Sequence, residues 1–478
     1  MEQKARLSED WLAVVLGLFL FALSLGLLAG ADLLGWAVTT SVWTHAATAL
    51  GTASKAYSGL PGMGSLILTW LFLLALLCAG AAFLKANVAR FAAAFTGIFF
   101  LSYAAWFCGS WAHIAATPDK LKALGVGWSL NLTAEAGFII ALLAGLIVGN
   151  CMPRVAAFLK EGIRPELYIK TAIVILGGFL GITAAEQLKL ATSVMFRGLC
   201  AIVEAYLVYW AVVYFVARKY FKFSREWSVP LASGISICGV SAAIATGSAI
   251  KARPVVPVMV SSLVVIFAVV ELMLLPFVAQ AFLYHDPLVA GAWMGLAVKT
   301  DGAAVAAGTI TESLIAAKVL AMQGIRLQSG WIMATTATVK VFIDIFIAVW
   351  AFILAWIWSS KIEPGRGNKV SAKEIWARFP KFILGYLATF VTVLAIAALA
   401  PSAVPKAKAA MGQANVFRGI FFVMTFFTIG VVSNFRKLWE EGIGRLALVY
   451  VVCLFGFIIW VGLLISWLFF HGVRPPAA

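Results

Sequence analysis

The sequence is short of charge. Only 12% of its 478 residues are Asp, Glu, Lys or Arg, and histidine occurs four times. Soluble domains carry roughly a quarter charged residues, so this chain lacks the polar shell of a water-soluble globular protein. Acids are scarcer still, 20 against 36 basic residues, for a formal net charge of +16. In a soluble protein that balance would raise nucleic acid as a partner. Here no stretch interleaves aromatic and basic residues and no polar domain exists to carry such a site, so no nucleic acid is expected. The six cysteines (Cys78, Cys108, Cys151, Cys200, Cys238 and Cys453) lie in or beside apolar stretches with no paired spacing. That suits neither a disulfide framework nor a zinc site, and no metal is expected. A phosphate-binding glycine loop, a His/Cys ligand spacing and a Ser–His constellation are all missing, and His45, His113, His285 and His471 are scattered. An enzyme is therefore not expected, nor a cofactor, with coupling to sodium or protons left open.

What the chain has in abundance is apolar length. Hydrophobic residues make up 63% of it and its mean hydropathy is +1.00. Runs of about 20 residues, enough to cross a bilayer, recur from end to end. The expected fold class is an all-α polytopic membrane protein with about 13 transmembrane segments, at 11–31, 63–84, 91–116, 133–150, 165–186, 194–217, 228–250, 255–283, 288–321, 329–358, 378–400, 415–433 and 443–470. The first run follows MEQKARLSEDW without a clear small-residue cleavage site, so it reads as a span and not a signal peptide. An inside N-terminus gathers about 19 Lys and Arg in the inside loops against about 13 opposite, the sense of the positive-inside rule. This predicts an integral protein of a bacterial inner membrane with a cytoplasmic N-terminus. Residues 1–125 read as an accessory bundle and 126–478 as a transporter core, with a Pro/Gly-containing cytoplasmic linker near 359–378. Aligning Gly181 with Gly430 matches ILGGFLGITAAEQLK to TFFTIGVVSNFRKL: an apolar helix, a glycine exit, a polar turn and a further span. Seven crossings apart, the two would be oppositely oriented, as in the inverted repeats of secondary transporters. The alternative is a chance match between apolar helix pairs.

Two stretches interrupt the apolar runs. Ser233 to Ser248 reads SGISICGVSAAIATGS, and Gly and Ser are poor helix formers. Backbone that leaves a helix at membrane depth must be buried in protein or line a cavity, so this is either a binding site or a place of close helix packing. The second is Lys299-Thr300-Asp301-Gly302 inside the long run 288–321. Exposed half-helix N-termini near Ser236 to Ser241 and at Gly302 would offer N–H donors and a positive dipole end to an anion. Lys251 and Arg253 then attract anions at a vestibule or anchor the interface.

Ionisable residues also fall inside spans: Glu135, Lys170, Glu204, Glu271, Lys299, Asp301, Glu312, Lys340 and Asp344. Each costs about 2.5–3.5 kcal/mol at a helix centre on insertion scales, so they should face a cavity or one another. Lys170, near a span end, can snorkel; Glu204 and Glu271 can be protonated packing residues. Lys340 and Asp344 are four apart and can pair on one helix face. Either these charges are structural ion pairs, or they form a cationic site for an anion with an acid for a coupling ion.

SGISICGVSAAIAT resembles the GxSICGxSAI signature of the YeiH-like membrane proteins, which carry the name of sulfate exporters. LLAGLIVGN (142–150), KTAIVILGGFLGI (170–182), AVKTDGAAVAAG (297–308) and TVKVFID (338–344) resemble further family segments in the same order. The resemblance covers about 130–470 and implies a ten-helix core with inverted repeats, similar to transporters of the bile-acid and cation-antiporter type. It implies export or exchange of a small inorganic or sulfonated anion. Ser236, Cys238, Gly239, Ser241, Asp301 and Lys340 match its motifs. Thr300 stands where the family has His, Ala304 where it has Gln and Ile343 where it has Arg, while Lys299, Asp344 and the first three spans are additional. The expected function is secondary transport of sulfate, sulfite or an organosulfonate, with Ser236, Cys238, Gly239, Ser241, Lys299, Thr300, Asp301, Gly302 and Lys340 binding substrate and Asp301 and Asp344 the coupling ion. A sodium/proton antiporter-like exchanger and a small-carboxylate transporter are the alternatives. The expected partners are the small anion, the lipid bilayer and a second copy of the chain in a homodimer.

Overall fold

A chain in hydrocarbon can satisfy its peptide groups only internally, and single segments do so as helices. The computed structural model describes residues 8–116, 120–130, 136–186, 188–239, 241–253, 255–362, 380–433 and 444–477. Its elements begin with α1 (Glu9–Leu25), a hairpin of β1 (Val38–Thr40) and β2 (Leu50–Thr52), α2 (Gly62–Phe83) and α3 (Val88–Gly109). Then come α4 (Ala136–Cys151), α5 (Pro153–Leu159), α6 (Pro165–Glu186), α7 (Leu188–Gly198) and α8 (Trp210–Lys219). A short helix and a π-helical segment, Glu204–Tyr209, join α7 to α8. The series continues with α9 (Arg225–Ser236), α10 (Ser241–Ala249), α11 (Val255–Phe282), α12 (Pro287–Ala297), α13 (Asp301–Gln323), α14 (Trp331–Ile345) and α15 (Ile347–Ile357). Last are α16 (Phe382–Leu399), α17 (Val404–Val432), α18 (Gly444–Cys453) and α19 (Ile459–Phe470), the last two joined by a π-helical segment, Leu454–Ile458.

The protein is thus an all-α polytopic membrane protein. Eleven helices among the described residues are long and apolar enough to cross a membrane, and up to twelve if the pair α4/α5, bent by 112°, is one span. The expected span 228–250 is instead the pair α9 and α10, 12 and 9 residues long, neither able to cross alone. The expected span 415–433 is extended: α17 starts eleven residues earlier, at Val404. Pro405, with its lysine neighbours, reads as loop in sequence, but it lies in the first turn of α17, where a missing N–H costs nothing. The hairpin between α1 and α2 was not expected; its Val38 N–H donates to Thr69 Oγ1 of α2 at 3.0 Å. Glu135 and nearly all of the linker near 359–378 lie outside the described residues.

Two compact units divide the chain. One comprises Met1–Leu190, Leu320–Gln323 and Lys381–Val432; the other Ala191–Val319, Gly324–Pro380 and Ser433–Ala478. In the first unit α4 packs on α17 and α6 on α16, through glycines. A Cβ on Gly145 would strike the Phe427 carbonyl and one on Gly430 the Leu142 carbonyl, so the helices meet backbone to backbone. Gly177 and Gly181 meet the Tyr386 and Phe390 carbonyls of α16 in the same way. The N-terminal spans join this unit, α1 against α6, α16 and α17, and α3 against α4 and α17. Lys170 does more than snorkel: its ammonium pairs with Asp10 at 2.6 Å and Glu166 at 3.2 Å.

An internal repeat runs through both units, taken one at a time. The offset from Gly181 to Gly430, 249 positions, carries Glu204–Tyr209 to 453–458, and a π-helical segment occupies Leu454–Ile458. The first repeat is α4, α6, α7/α8, α9/α10 and α11. The second has the broken pair first: α12/α13, α14/α15, α16, α17 and α18/α19. Matching contacts follow. In the first unit α4 on α17 mirrors α16 on α6; in the second α8 on α9 mirrors α19 on α12, and α9 on α11 mirrors α12 on α14. An inverted repeat requires α6 and α17 to run in opposite senses, which an odd number of crossings between them provides.

Candidate functional site

The two broken helices meet inside the second unit. α9 ends at Ser236 and α10 begins at Ser241; α12 ends at Ala297 and α13 begins at Asp301. The Gly239 N–H donates to the Lys299 carbonyl at 2.6 Å, so the unwound stretches touch through their backbones. Only glycine fits there, because a Cβ would collide with Val264 of α11. Thr300 caps α13, its hydroxyl accepting from the Ala303 N–H at 3.2 Å. Gly302 follows in the first turn of that buried helix end.

Four half-helix ends converge, and the chain matches three of them with its own charges. The Lys340 ammonium, reaching from α14, donates to the Ile237 carbonyl at the C-terminal end of α9 at 2.8 Å. The Lys299 ammonium donates to the Leu296 carbonyl at the C-terminal end of α12. Asp301 sits in the first turn of α13. These placements suit the helix dipole, cations at C-termini and an anion at an N-terminus. The fourth end, the N-terminus of α10 at Ser241, has no acidic residue in its first turn. Ser236, across the break, is fully buried, and its hydroxyl has no hydrogen-bond partner among the described residues.

The charged residues form two clusters. In the first, the Lys340 Nζ lies 3.6 Å from Asp301 and 3.8 Å from Asp344, confirming the pairing of Lys340 with Asp344 along one face of α14. The Cys238 thiol donates to Asp301 Oδ1 at 2.9 Å. One ligand atom each from Cys238, Asp301 and Asp344 fall within 4.8 Å of one another, a set that could hold a cation. The Lys340 ammonium is the positive charge already among them. In the second cluster Lys299, on the far side of Thr300 in sequence from Asp301, has other partners: its Nζ lies 4.5 Å from the Tyr209 ring centroid. Its N–H donates to Glu271 Oε2 at 3.3 Å, and Tyr450 donates to Glu271 Oε1 at 3.0 Å. Both lysines, Asp301, Asp344, Glu204 and Glu271 are all buried.

The structure therefore brings Cys238, Asp301, Lys340 and Asp344 together around the break at Gly239, with Ser236 and the half-buried Ser241 on the chain that enters and leaves it. It sets Lys299 apart, in a cluster whose tyrosines, Tyr209 and Tyr450, the sequence did not single out. Other intramembrane charges have structural partners. Glu312 accepts from the N–H groups of Gly330 (2.6 Å), Ile332 (2.9 Å) and Met333 (3.0 Å), capping α14. Arg253, just beyond the apolar stretch 228–250, is engaged with Glu226 through Nε at 3.0 Å and Nη2 at 3.2 Å. Arg253 holds the Glu226 carboxyl below the usual carboxylate range.

A polytopic membrane protein with two broken helices crossing at a buried Lys–Asp cluster is the class that fold and site define. A family model described as Conserved hypothetical protein 698 matches residues 71–449. A UPF0324 membrane protein of Nitrosomonas europaea is 40% identical over 475 residues, covering 98% of this chain and 97% of its own. One of Rhodopirellula baltica is 32% identical over 421 residues, 86% of this chain and 67% of its own. An uncharacterized protein of Archaeoglobus fulgidus is 53% identical over 165 residues, 30% of this chain and 88% of its own. No solved structure matches. The chain belongs to the UPF0324 family of membrane proteins, the family to which the Ser-Ile-Cys-Gly resemblance pointed.

Proposed function

We propose that this protein is a secondary active transporter, an exporter or exchanger of a small anion such as sulfate, sulfite or an organosulfonate. The anion binds at the crossing of the broken helices. The observation that carries the reading is the unequal matching of the four half-helix ends: three have a charged side chain of the chain itself, and the α10 N-terminus has none. A helix N-terminus in a water-poor interior favours an anion, and the Ser236 hydroxyl, across the break from it, is buried without a hydrogen-bond partner among the described residues. Lys340, Asp301 and Asp344 then couple the anion to a proton or cation, since the Lys340 ammonium lies within 4 Å of both carboxylates. The membrane we assign is a bacterial inner membrane, with a cytoplasmic N-terminus and a homodimer as the assembly.

The test is a thermal-stability screen of the purified protein against sulfate, sulfite, thiosulfate, taurine, isethionate and small carboxylates, each with and without sodium. A ligand at a hundredfold excess over its Kd stabilises by about 2.7 kcal/mol. A shift with one anion, lost in Lys340→Ala and matched by flux into liposomes, supports the reading. No shift and no flux with any anion overturns it. One observation favours a second reading, a sodium/proton antiporter-like exchanger: the buried acids Asp301, Asp344, Glu204 and Glu271 outnumber Lys299 and Lys340. A response to sodium or pH alone selects that reading.

A further inference from the structure

The transport reading leaves Glu204 without a role. It opens the π-helical segment Glu204–Tyr209 and is 1% exposed. Both of its carboxyl oxygens are buried with no hydrogen-bond partner among the described residues. An ionised carboxylate so placed is costly, because nothing replaces the water it has lost. The titratable groups that act on it electrostatically are Tyr209, Lys299 and Cys200, and Lys299 in turn is bonded through its N–H to Glu271, which also accepts from Tyr450. The two strongest of these are committed elsewhere. Lys299 donates to the Leu296 carbonyl and rests over the Tyr209 ring. Glu271 accepts from both Tyr450 and the Lys299 N–H, two donors that suit an ionised carboxylate.

Tyr209 decides the state of Glu204. A phenol has a single O–H, and this one donates to the Ile458 carbonyl at 2.9 Å. Toward Glu204 the hydroxyl can only accept. With no donor at either oxygen among the described residues, nothing offsets the lost hydration of an ionised Glu204, and the buried carboxyl keeps its hydrogen. Two carboxyls share this cluster with one lysine, and their hydrogen bonds differ: Glu271 accepts from two donors, which suits the anion, and Glu204 from none among the described residues, which suits the acid. The π-helical turn agrees with a specialised position, since such turns recur at functional sites.

We propose that Glu204 is a proton-binding site, separate from the Asp301/Asp344 cluster, that loads and releases one proton as Lys299 shifts. On release the Glu204 O–H bond breaks, the proton leaves to water as hydronium, and the electron pair stays on the carboxylate, whose charge the Lys299 ammonium compensates. The crossing supplies the link. The Lys299 carbonyl accepts from Gly239, and Lys299 is two residues from Asp301, so a ligand that moves the crossing moves the ammonium relative to Glu204. The part in transport rests on the function proposed above; the protonation of Glu204 does not.

Infrared difference spectroscopy of the purified full chain across a pH step reads carboxyl protons directly. The wild type should show a deuterium-sensitive protonated-carboxyl component that disappears in Glu204→Gln and persists in Glu271→Gln. Thermal unfolding adds a structural readout: Glu204→Gln should melt with the wild type, because a neutral amide replaces a neutral acid of the same shape and no ion pair is lost. The proposal is overturned if the wild type lacks the component, if Glu204→Gln retains it, or if Glu204→Gln is destabilised while Glu271→Gln is not. Should Glu204→Gln fail to fold, Glu204→Asp must keep the component and titrate at a different pH; an unchanged titration overturns the assignment. Sulfite counterflow in proteoliposomes tests the coupling separately, and Glu204→Gln should flatten the pH dependence of flux. Flux that keeps its pH dependence in this variant removes Glu204 from the cycle. The infrared result without flux of any anion in the wild type would leave the proton site standing and the anion reading refuted.

Discussion

Replacing Lys340 with methionine is the sharpest perturbation of the crossing. The ammonium is 2% exposed, lies 3.6 Å from Asp301 and 3.8 Å from Asp344, and donates to the Ile237 carbonyl at 2.8 Å. Opposite charges about 4 Å apart attract by about 4 kcal/mol at an effective dielectric constant of about 20. Much of that attraction offsets the cost of burying the groups, so the informative quantity is what happens when one partner is lost: about 3–5 kcal/mol. Methionine keeps the unbranched stem and removes the charge, stranding two acids and the carbonyl end of α9. Lys340→Met should therefore lower the unfolding free energy by about 3–5 kcal/mol. Adding Asp344→Asn removes one stranded charge, and the double-mutant cycle should show a coupling of about 0.5–3 kcal/mol. Denaturant unfolding in mixed micelles, followed by tryptophan fluorescence, measures both. A single-variant loss under about 1 kcal/mol, or additivity within about 0.5 kcal/mol, would refute the claim that these charges hold one another in place.

Three further outcomes follow from contacts described above. Glu312→Gln leaves one acceptor oxygen for three N–H donors and should cost about 1–2 kcal/mol, with faster hydrogen exchange over Gly330 to Met333. Gly145→Ala drives a methyl into the Phe427 carbonyl and should cost about 1–3 kcal/mol in a thermal melt, whereas Gly412→Ala, with nothing within 4 Å, should be neutral by comparison. Cys238→Ser preserves a donor to Asp301 and should keep the stability that Cys238→Ala loses; in the folded wild type, maleimide should label the exposed Cys108 and Cys151 long before the buried Cys238.

The helices were legible because their signal is apolar length, a property of composition within a window. The breaks were legible for the opposite reason: Gly239 and Ser236 cannot build a good span, and Lys299 and Asp301 cannot lie in one unpaired. Lys340 and Asp344 were linked by a spacing of four, a local relation that survives folding unchanged. What sequence could not supply was the third dimension of the charges. Lys299 and Asp301 are two residues apart yet serve different clusters, since the break turns their side chains to different partners. Glu271 accepts from the Lys299 N–H although 28 positions separate them, and no period in the chain announces that. Tyr209 and Tyr450 look like ordinary aromatics of apolar spans until their hydroxyls are traced to Ile458 and Glu271. The start of α17 was missed because Pro405 and the lysines beside it resemble a loop, and position within a helix, which decides whether proline is tolerated, is not a property of composition.

The repeat explains why the crossing exists, and its imperfection explains why the crossing can be a site. Two copies of one broken helix, each with a C-terminal and an N-terminal half, give two negative and two positive ends within a few residues of one another. Perfect copies would leave all four equivalent in pairs. The copies differ where they meet: the first break reads Ile-Cys-Gly-Val and the second Val-Lys-Thr, followed directly by Asp301 at the head of α13. The second copy therefore fills its own ends, Lys299 on one and Asp301 on the other. The first borrows Lys340 from α14 for its carbonyl end and leaves its N–H end, at Ser241, without an acid. The asymmetry is chemical and not architectural. It predicts that Ser241→Asp, which would give α10 the acid that α13 already has, leaves the fold intact and abolishes anion binding. An unchanged anion-induced thermal shift in that variant would move the site away from this helix end.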